Sequence, residues 1–392
     1  MVNRTEMVAA ARDLRGTIDA CRAWADEQSR MAPEVVQALR EAGLFTMTAP
    51  REVGGAEVSF PEAIAVFEEL GYSDPSSGWH VANSAALCTA AAGLEADARD
   101  PIFAAESGPF GFGGVTTVHG EPVEGGYRAS GRAPFMTGVN DAPWALFQGD
   151  VQENGEVREL AGMPDARQFI LPASDFTIES TWGAARAMRG TGSDAATVTD
   201  AFVPEGRTRS LVKPAVVIDR PVFRIPVLAH MGPPAGSAMT VGIARRTLDE
   251  TATRLTGRTS GSIVARDRVS FHQRLGEATA AVDVYSAGLQ AIAEAVWVDA
   301  EAGELSQAVE ARMYATSFWV MDQTRALLSD LLLLMGSAFY ASANPVEAGL
   351  RDAHAICATL EKLRGLQEGA GRMRLGLDPQ LPSPWARAVE AH

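Results

Sequence analysis

The sequence predicts an α+β protein, with an N-terminal helical domain, a central β-barrel or sandwich domain and a C-terminal bundle of long helices. Three observations carry this expectation. Apolar residues recur at helical spacing from about residue 3 to 105. After Pro109 the chain becomes rich in Gly, Thr, Val and Phe, with turn clusters between short runs, as far as residue 212. From Ile225 to Leu366 the helical period returns in segments well beyond the globular mean of about 11–12 residues. The 392 residues suit two or three domains, and the shifts place them at 1–107, 108–224 and 225–392.

In the first part, Val35, Val36, Leu39 and Leu44 recur at helical spacing, and Gly43 reads as the helix's C-cap. Pro61 to Leu70 reads as a second helix, with Ser59 as N-cap and Glu62 as its capping-box partner. A third starts at Asp74-Pro75-Ser76, a capping Asp followed by Pro, and runs past Trp79 and His80. Strands are expected at Ala145 to Asp150, Gln168 to Leu171 and Ala196 to Thr199. In the last part, helices are expected over Ser237 to Leu255, Ala265 to Ala302 and Leu305 to Met335, packed as an antiparallel bundle. The run LLSDLLLLMG is apolar nearly all round and should be buried, against another subunit if not within this one. The tail from Pro379 to His392 reads as docked coil.

Composition excludes several classes. Lys and Arg number 34 against 49 Asp and Glu, a net charge of −15 that lacks a nucleic-acid binder's footprint. Nearly all cations are Arg; Lys occurs only at Lys213 and Lys362. Cys21, Cys88 and Cys357 have no short spacing, which argues against a disulfide framework or a zinc site, and the histidines form no metal-binding pair. No apolar run reaches membrane-span length, and the charged opening MVNRTEMVAAARDLRG is no signal peptide, so a cytoplasmic location is expected.

The stretch Gly125 to Gly138, GGYRASGRAPFMTG, organises the rest. Its glycines suit a hairpin turn. Tyr127, Ala129 and Gly131 alternate with Arg128, Ser130 and Arg132, the pattern of a half-buried strand. It ends on Phe135, Thr137 and Gly138. A hydroxyl and backbone N–H groups beside a glycine can approach a flat ring closely.

Several motifs, in order, resemble those of the acyl-CoA dehydrogenase superfamily. They are LREAGLFTMTAPREVGGAEVSFPEAIAVFEELGYSDPSSGW over Leu39 to Trp79, GGYRASGRAPFMTG itself, WGAARAMRGTGSDAATVTDAFVPEGR over Trp182 to Arg207, and GSAFYASANPVEAGLRDAHAI over Gly336 to Ile356. The resemblance implies a helical domain, a β-domain, a four-helix bundle and a flavin, FAD or FMN. It implies a flavin wall at Phe135 and Thr137, with the Thr137 hydroxyl beside the ring's reactive nitrogen. Further flavin contacts are implied at Thr116 and Thr117, at Gly336 and Ser337, and from Arg258 and Gln273 to the flavin phosphate across a subunit boundary. His80 is a candidate general acid–base. A homotetramer is implied as well.

Two branches of the superfamily differ in chemistry. Dehydrogenases use a glutamate base, which here falls on Leu360, with Glu361 one residue on; the alternative base position falls near Arg224. The other branch resembles two-component flavin monooxygenases, with the pattern PLxRxxRDxHAxxxH. Pro345, Val346, Arg351, Asp352, His354 and Ala355 match it, Ala348 replaces an Arg, and Thr359 replaces the final His. The expected function is therefore a monooxygenase that uses reduced flavin and O2 on a small organic substrate, supplied by a flavin reductase, with Thr137, His80 and Thr359 as catalytic candidates. The alternatives are an acyl-CoA dehydrogenase using Glu361, or a non-catalytic partner subunit. Arg189 to Ser193, RGTGS, lacks a phosphate loop's Gly-Lys ending and reads as a strand-entry turn near the substrate.

Overall fold

A computed structural model describes residues 4–104, 108–257, 259–260, 263–335 and 345–381. The chain opens with α1 (Arg4–Asp13), α2 (Arg15–Gln28), α3 (Pro33–Glu41), α4 (Phe60–Ser73), α5 (Pro75–Ala91) and α6 (Ala96–Ala104). Gly43, just past α3, adopts φ 70, as expected of a glycine that ends a helix. Asp74 caps α5 as expected, its carboxylate accepting from the Ser77 N–H at 2.8 Å. Ser59 does not cap α4: its backbone is extended, but its buried hydroxyl has no hydrogen-bond partner. With Pro61 at the start of the helix, one of the N–H groups such a cap would serve is missing.

The central sheet follows: β1 (Gly111–Val123), β2 (Gly126–Ala133), β3 (Trp144–Glu153), β4 (Glu156–Val157), β5 (Glu159–Leu160), β6 (Met163–Pro164), β7 (Ala166–Pro172), β8 (Phe176–Glu179), β9 (Ala195–Pro204) and β10 (Thr208–Ser210). The main path runs β10-β7-β3-β1-β2-β9-β8, with β4 on β3 and a separate β5-β6 pair. All pairs are antiparallel except β1 with β3. Tyr127 and Ala129 are buried while Arg128, Ser130 and Arg132 are exposed, so β2 keeps the expected alternation.

The chain then returns to helices: α7 (Pro221–Arg224), α8 (Val227–Met231), α9 (Pro233–Gly257), α10 (Val269–Ala302), α11 (Gln307–Met335), α12 (Pro345–Leu360) and α13 (Glu368–Arg374), with short strands β11 (Thr259–Ser260) and β12 (Ile263–Val264) between α9 and α10. Helix α10 starts four residues later than expected, because Ala265 to Asp267 form a 3-10 turn instead. Helices α4 and α9 cross at backbone contact. A Cβ on Gly71 would lie 2.4 Å from Met239 O, and one on Gly242 would lie 2.1 Å from Glu68 O. Beside this crossing Glu69 gathers Arg12, Arg15 and Arg245, and Glu68 pairs with Arg245 at 2.9 Å and accepts from Ser286 at 2.7 Å. These charges tie the N-terminal helices to the bundle.

In α11, Leu328, Leu331 and Leu334 are buried, but Leu333 is 72% exposed, so the apolar run covers more surface than one chain buries. The tail beyond residue 381 lies outside the described residues. Among the described residues no helix is long and apolar enough to cross a membrane, and no cluster of His, Cys, Asp and Glu could hold a metal.

Candidate active site

A cleft of about 760 Å³ opens between the end of β2, helices α5 and α8, and the last turn of α12. That size accommodates a cofactor-scale ligand. Its wall at β2 is built by backbone pairing. Phe112 N donates to Thr137 O at 3.1 Å, and Thr137 N donates to Phe112 O at 3.0 Å. The turn needs left-handed backbone at Phe135 (φ 57) and Gly138 (φ 76). For an aromatic residue this conformation is rare, and it leaves the Phe135 ring 61% exposed at the cleft, edge-on to Trp182 at 6.2 Å.

Thr137 ends a chain of buried hydroxyls. Thr191 Oγ1 donates to Met188 O at 2.8 Å, and Ser193 Oγ donates to Thr191 Oγ1 at 2.8 Å. Thr137 and Ser193 oxygens stand 2.9 Å apart. A carbonyl only accepts, so the direction of every link is fixed from that end. Thr191 must give its proton to Met188, and Ser193 must give its proton to Thr191. Thr137 then donates to Ser193 and faces the cleft with lone pairs only.

Met188 anchors this chain. Its carbonyl also accepts from Trp182 Nε1 at 3.2 Å, and its N–H donates to Asp352 Oδ1 at 2.6 Å. Burial pushes the Asp352 carboxyl up to about 7, although the Met188 N–H pulls the other way. Asp352 of the sequence pattern therefore fastens α12 to the hydroxyl loop, while Arg351 pairs with Glu347 on its own helix. Asp194 steadies the same loop by accepting from Thr181 N at 2.6 Å and Trp182 N at 2.7 Å.

The expected residues fall into three groups. Phe135, Thr137 and Thr359 line the cleft. His80 does not. Trp79 and Asn83 of α5 face the cleft, and His80, turned about 100° from Trp79 around the helix, faces behind the wall. Its Nε2 lies 3.2 Å from Gly190 O, its Nδ1 has no partner, and burial pushes its pKa down. A neutral imidazole packed under Gly138 is placed to support the turn, not to meet a substrate. Thr116 and Thr117 also stay off the cleft, because an irregularity in β1 presents Gly114 and Val115 instead. Gln273 is exposed on α10 and donates to Glu277 at 3.2 Å. Arg258, Gly336 and Ser337 lie outside the described residues.

The dehydrogenase base position is apolar. Leu360 lines the cleft, while Glu361 lies off it, paired with Arg364 at 2.8 Å. Arg224 pairs with Asp219 at 2.6 Å. Among the described lining residues there is no carboxylate, and Lys362 carries the only charge.

Sequence reasoning missed Gln148 and Lys362 as cleft residues. It set Thr191 and Ser193, within RGTGS, in a turn near the substrate, but only the fold brings the Ser193 hydroxyl to Thr137 and links it to that of Thr191. The scarcity of lysine was the available signal for Lys362.

Comparison with known proteins agrees with this geometry. Residues 6–97 match the family model "Acyl-CoA dehydrogenase, N-terminal domain", and residues 235–359 match "Acyl-CoA dehydrogenase, C-terminal domain". A pigment production hydroxylase from Rhodococcus sp. is 28% identical over 90% of this chain and 91% of its own. An FADH(2)-dependent resorcinol hydroxylase, oxygenase component, from Rhizobium sp. is 27% identical over 91% and 90%. Among solved structures, XiaF from Streptomyces sp., in complex with FADH2 and glycerol, superposes with a TM-score of 0.85 at 23% identity, covering 97% of each chain. Dibenzothiophene monooxygenase TdsC from Paenibacillus sp. A11-2, with FMN and indole, gives 0.76 at 19% identity over 96% and 98%. At such identities the superpositions speak for the fold alone. Taken with the two matched models and the ordered motifs, they lead to one conclusion: the chain belongs to the acyl-CoA dehydrogenase superfamily.

Proposed function

We propose that this protein is the oxygenase component of a two-component flavin-dependent monooxygenase acting on a small organic, aromatic substrate. The observation that carries the reading is the cleft itself. It is roomy and mostly apolar, it has no carboxylate on its described lining, and it presents Thr137 as a hydrogen-bond acceptor. Removing an α-proton from an acyl-CoA needs a base at the reacting carbon, and Leu360 stands where that base would be.

The residues present fit a reduced flavin. When bound, that cofactor supplies two electrons and activates O2, so that one oxygen atom enters the substrate and the other leaves as water. A reduced flavin carries N–H at its central ring nitrogen, where the oxidised ring has a lone pair. An acceptor-only Thr137 matches the reduced form. Phe135, Trp182 and Trp79 offer aromatic surface to flat ligands. Ile356, Leu360, Leu363 and Val227 keep water from the reacting atoms. Thr359 and Lys362 supply polar contacts at the α12 end, where Thr359 can orient a proton donor but does not titrate near neutrality.

FADH2 or FMN is the cofactor, in line with the relatives' names, and a separate flavin reductase supplies it. Arg258, Gln273, Gly336 and Ser337 are proposed cofactor contacts completed in a homotetramer. Exposed Val284, Val298, Trp319 and Leu333 on α10 and α11 favour such an assembly.

The test is to supply chemically reduced FAD or FMN, isotopically labelled O2 and a panel containing resorcinol, indole and indole-3-acetate. Label in a hydroxylated product supports the reading. No labelled product, together with flavin reduction by an acyl-CoA, overturns it.

A further inference from the structure

Gln148 is buried to 1% exposure, lines the cleft, and has no hydrogen-bond partner at either Oε1 or Nε2. It sits on β3 opposite Gln168 of β7. Its neighbours on the same sheet face, Leu146 and Ile170, pack with Phe112 and Val227 in an apolar cluster. An amide set in hydrocarbon with both ends vacant is costly, and such groups persist where something completes them. The row continues away from the cleft. Gln168 Oε1 is 3.5 Å from Arg209 Nη1, and Arg209 lies opposite Gln168 on β10. Among the described residues no carboxylate pairs with Arg209, and burial alone pushes its guanidinium down to about 10. A cation without a counter-charge thus stands behind the two amides.

We infer that Gln148 is a ligand-reading residue, whose adjacent N–H and C=O grip a ring edge bearing an acceptor beside a donor, as in an imide, a lactam or a phenol. The cation behind the row favours an electron-rich acceptor atom at Nε2. Phe112 faces both Thr137 and Leu146, so Gln148 lies two strands across and two residues along from Thr137, roughly 12 Å by sheet spacing. A fused-ring ligand that meets Thr137 at one edge can meet Gln148 at another. Two sources share this chemistry: the pyrimidine edge of the flavin and the polar end of the substrate. The inference rests on the reading of the cleft as a flavin and substrate site.

The experiment uses full-length protein carrying Gln148→Leu or Gln148→Met. The probes are oxidised and dithionite-reduced FAD and FMN, 2-naphthol, and naphthalene as the partner lacking a hydroxyl. Both variants should keep or raise the Tm, since each removes an unsatisfied amide. A rise of about fivefold or more in the flavin Kd assigns the edge to the cofactor. Unchanged flavin binding with a similar loss for 2-naphthol, but not for naphthalene, assigns it to the substrate. Unchanged flavin affinity together with unchanged or absent 2-naphthol binding overturns the inference, as does a fall in Tm with ligand affinities intact. Wild-type protein that binds no reduced flavin sinks the reading of the cleft and this assignment with it; wild-type binding of both flavin and 2-naphthol that Gln148→Leu leaves intact sinks the assignment alone.

Discussion

Replacing Ser193 with alanine removes the middle link of the hydroxyl chain. Two hydrogen bonds go, at 2.9 Å to Thr137 and 2.8 Å to Thr191. At a net ~0.5–1.5 kcal/mol each, the fold loses about 1–3 kcal/mol. The larger consequence is directional. With Ser193 present, Thr137 has spent its proton and can only accept. Without it, the hydroxyl rotates freely and offers either a proton or a lone pair to the cleft. The preference for a ring N–H over a ring lone pair should then weaken by about one net hydrogen bond, ~1 kcal/mol, or about fivefold in the ratio of oxidised to reduced flavin Kd. Anaerobic titration of FAD and FMN in both redox states measures that ratio without turnover. Thr191→Val should shift it the same way, because it releases Ser193 from its fixed role. A ratio that stays constant while the Tm falls would refute the directional reasoning and leave the chain a packing feature only.

Other consequences are open to measurement. Glu361→Gln should leave monooxygenase activity within about twofold, since Glu361 sits off the cleft on Arg364; a loss beyond tenfold would revive Glu361 as a base. Asp352 has a folded pKa raised from 3.8 to about 7, so the native state holds a proton that the unfolded chain has released between those values. Stability from this group therefore falls as pH rises from about 4 to about 7 and is level above. Asp352→Asn keeps an acceptor for Met188 N, so its stability relative to wild type should climb by a few kcal/mol across that window in urea melts; a pH-independent difference counts against the raised pKa. Gly138→Ala forces a side chain into φ 76 and sets its Cβ 3.1 Å from His80 Nδ1. It should cost ~1–2 kcal/mol and lower the Tm by a few degrees; an unchanged Tm would mean the turn is not constrained as described.

Much of this molecule is legible in the chain. Periodicity located the helices and the sheet, because a buried helix face and a half-buried strand each impose a spacing on apolar residues. Asp74-Pro75 announced a helix start because capping is local chemistry, and the alternation in Gly125 to Gly138 announced the strand that carries Thr137. Leu360 already spoke against a dehydrogenase base. What tertiary structure alone decided concerns orientation and encounter. Helix phase in α5 put Trp79 and Asn83 in the cleft and His80 behind it, a distinction that one residue of sequence does not reveal. The irregularity in β1 presented Gly114 and Val115 in place of Thr116 and Thr117. The Ser193 hydroxyl, backed by that of Thr191, meets Thr137 from more than fifty residues away, and the Met188 carbonyl, whose own N–H is held by Asp352, sets which way their protons point. Hydrogen-bond direction belongs to the whole chain of partners, so it exists only once the fold has assembled them.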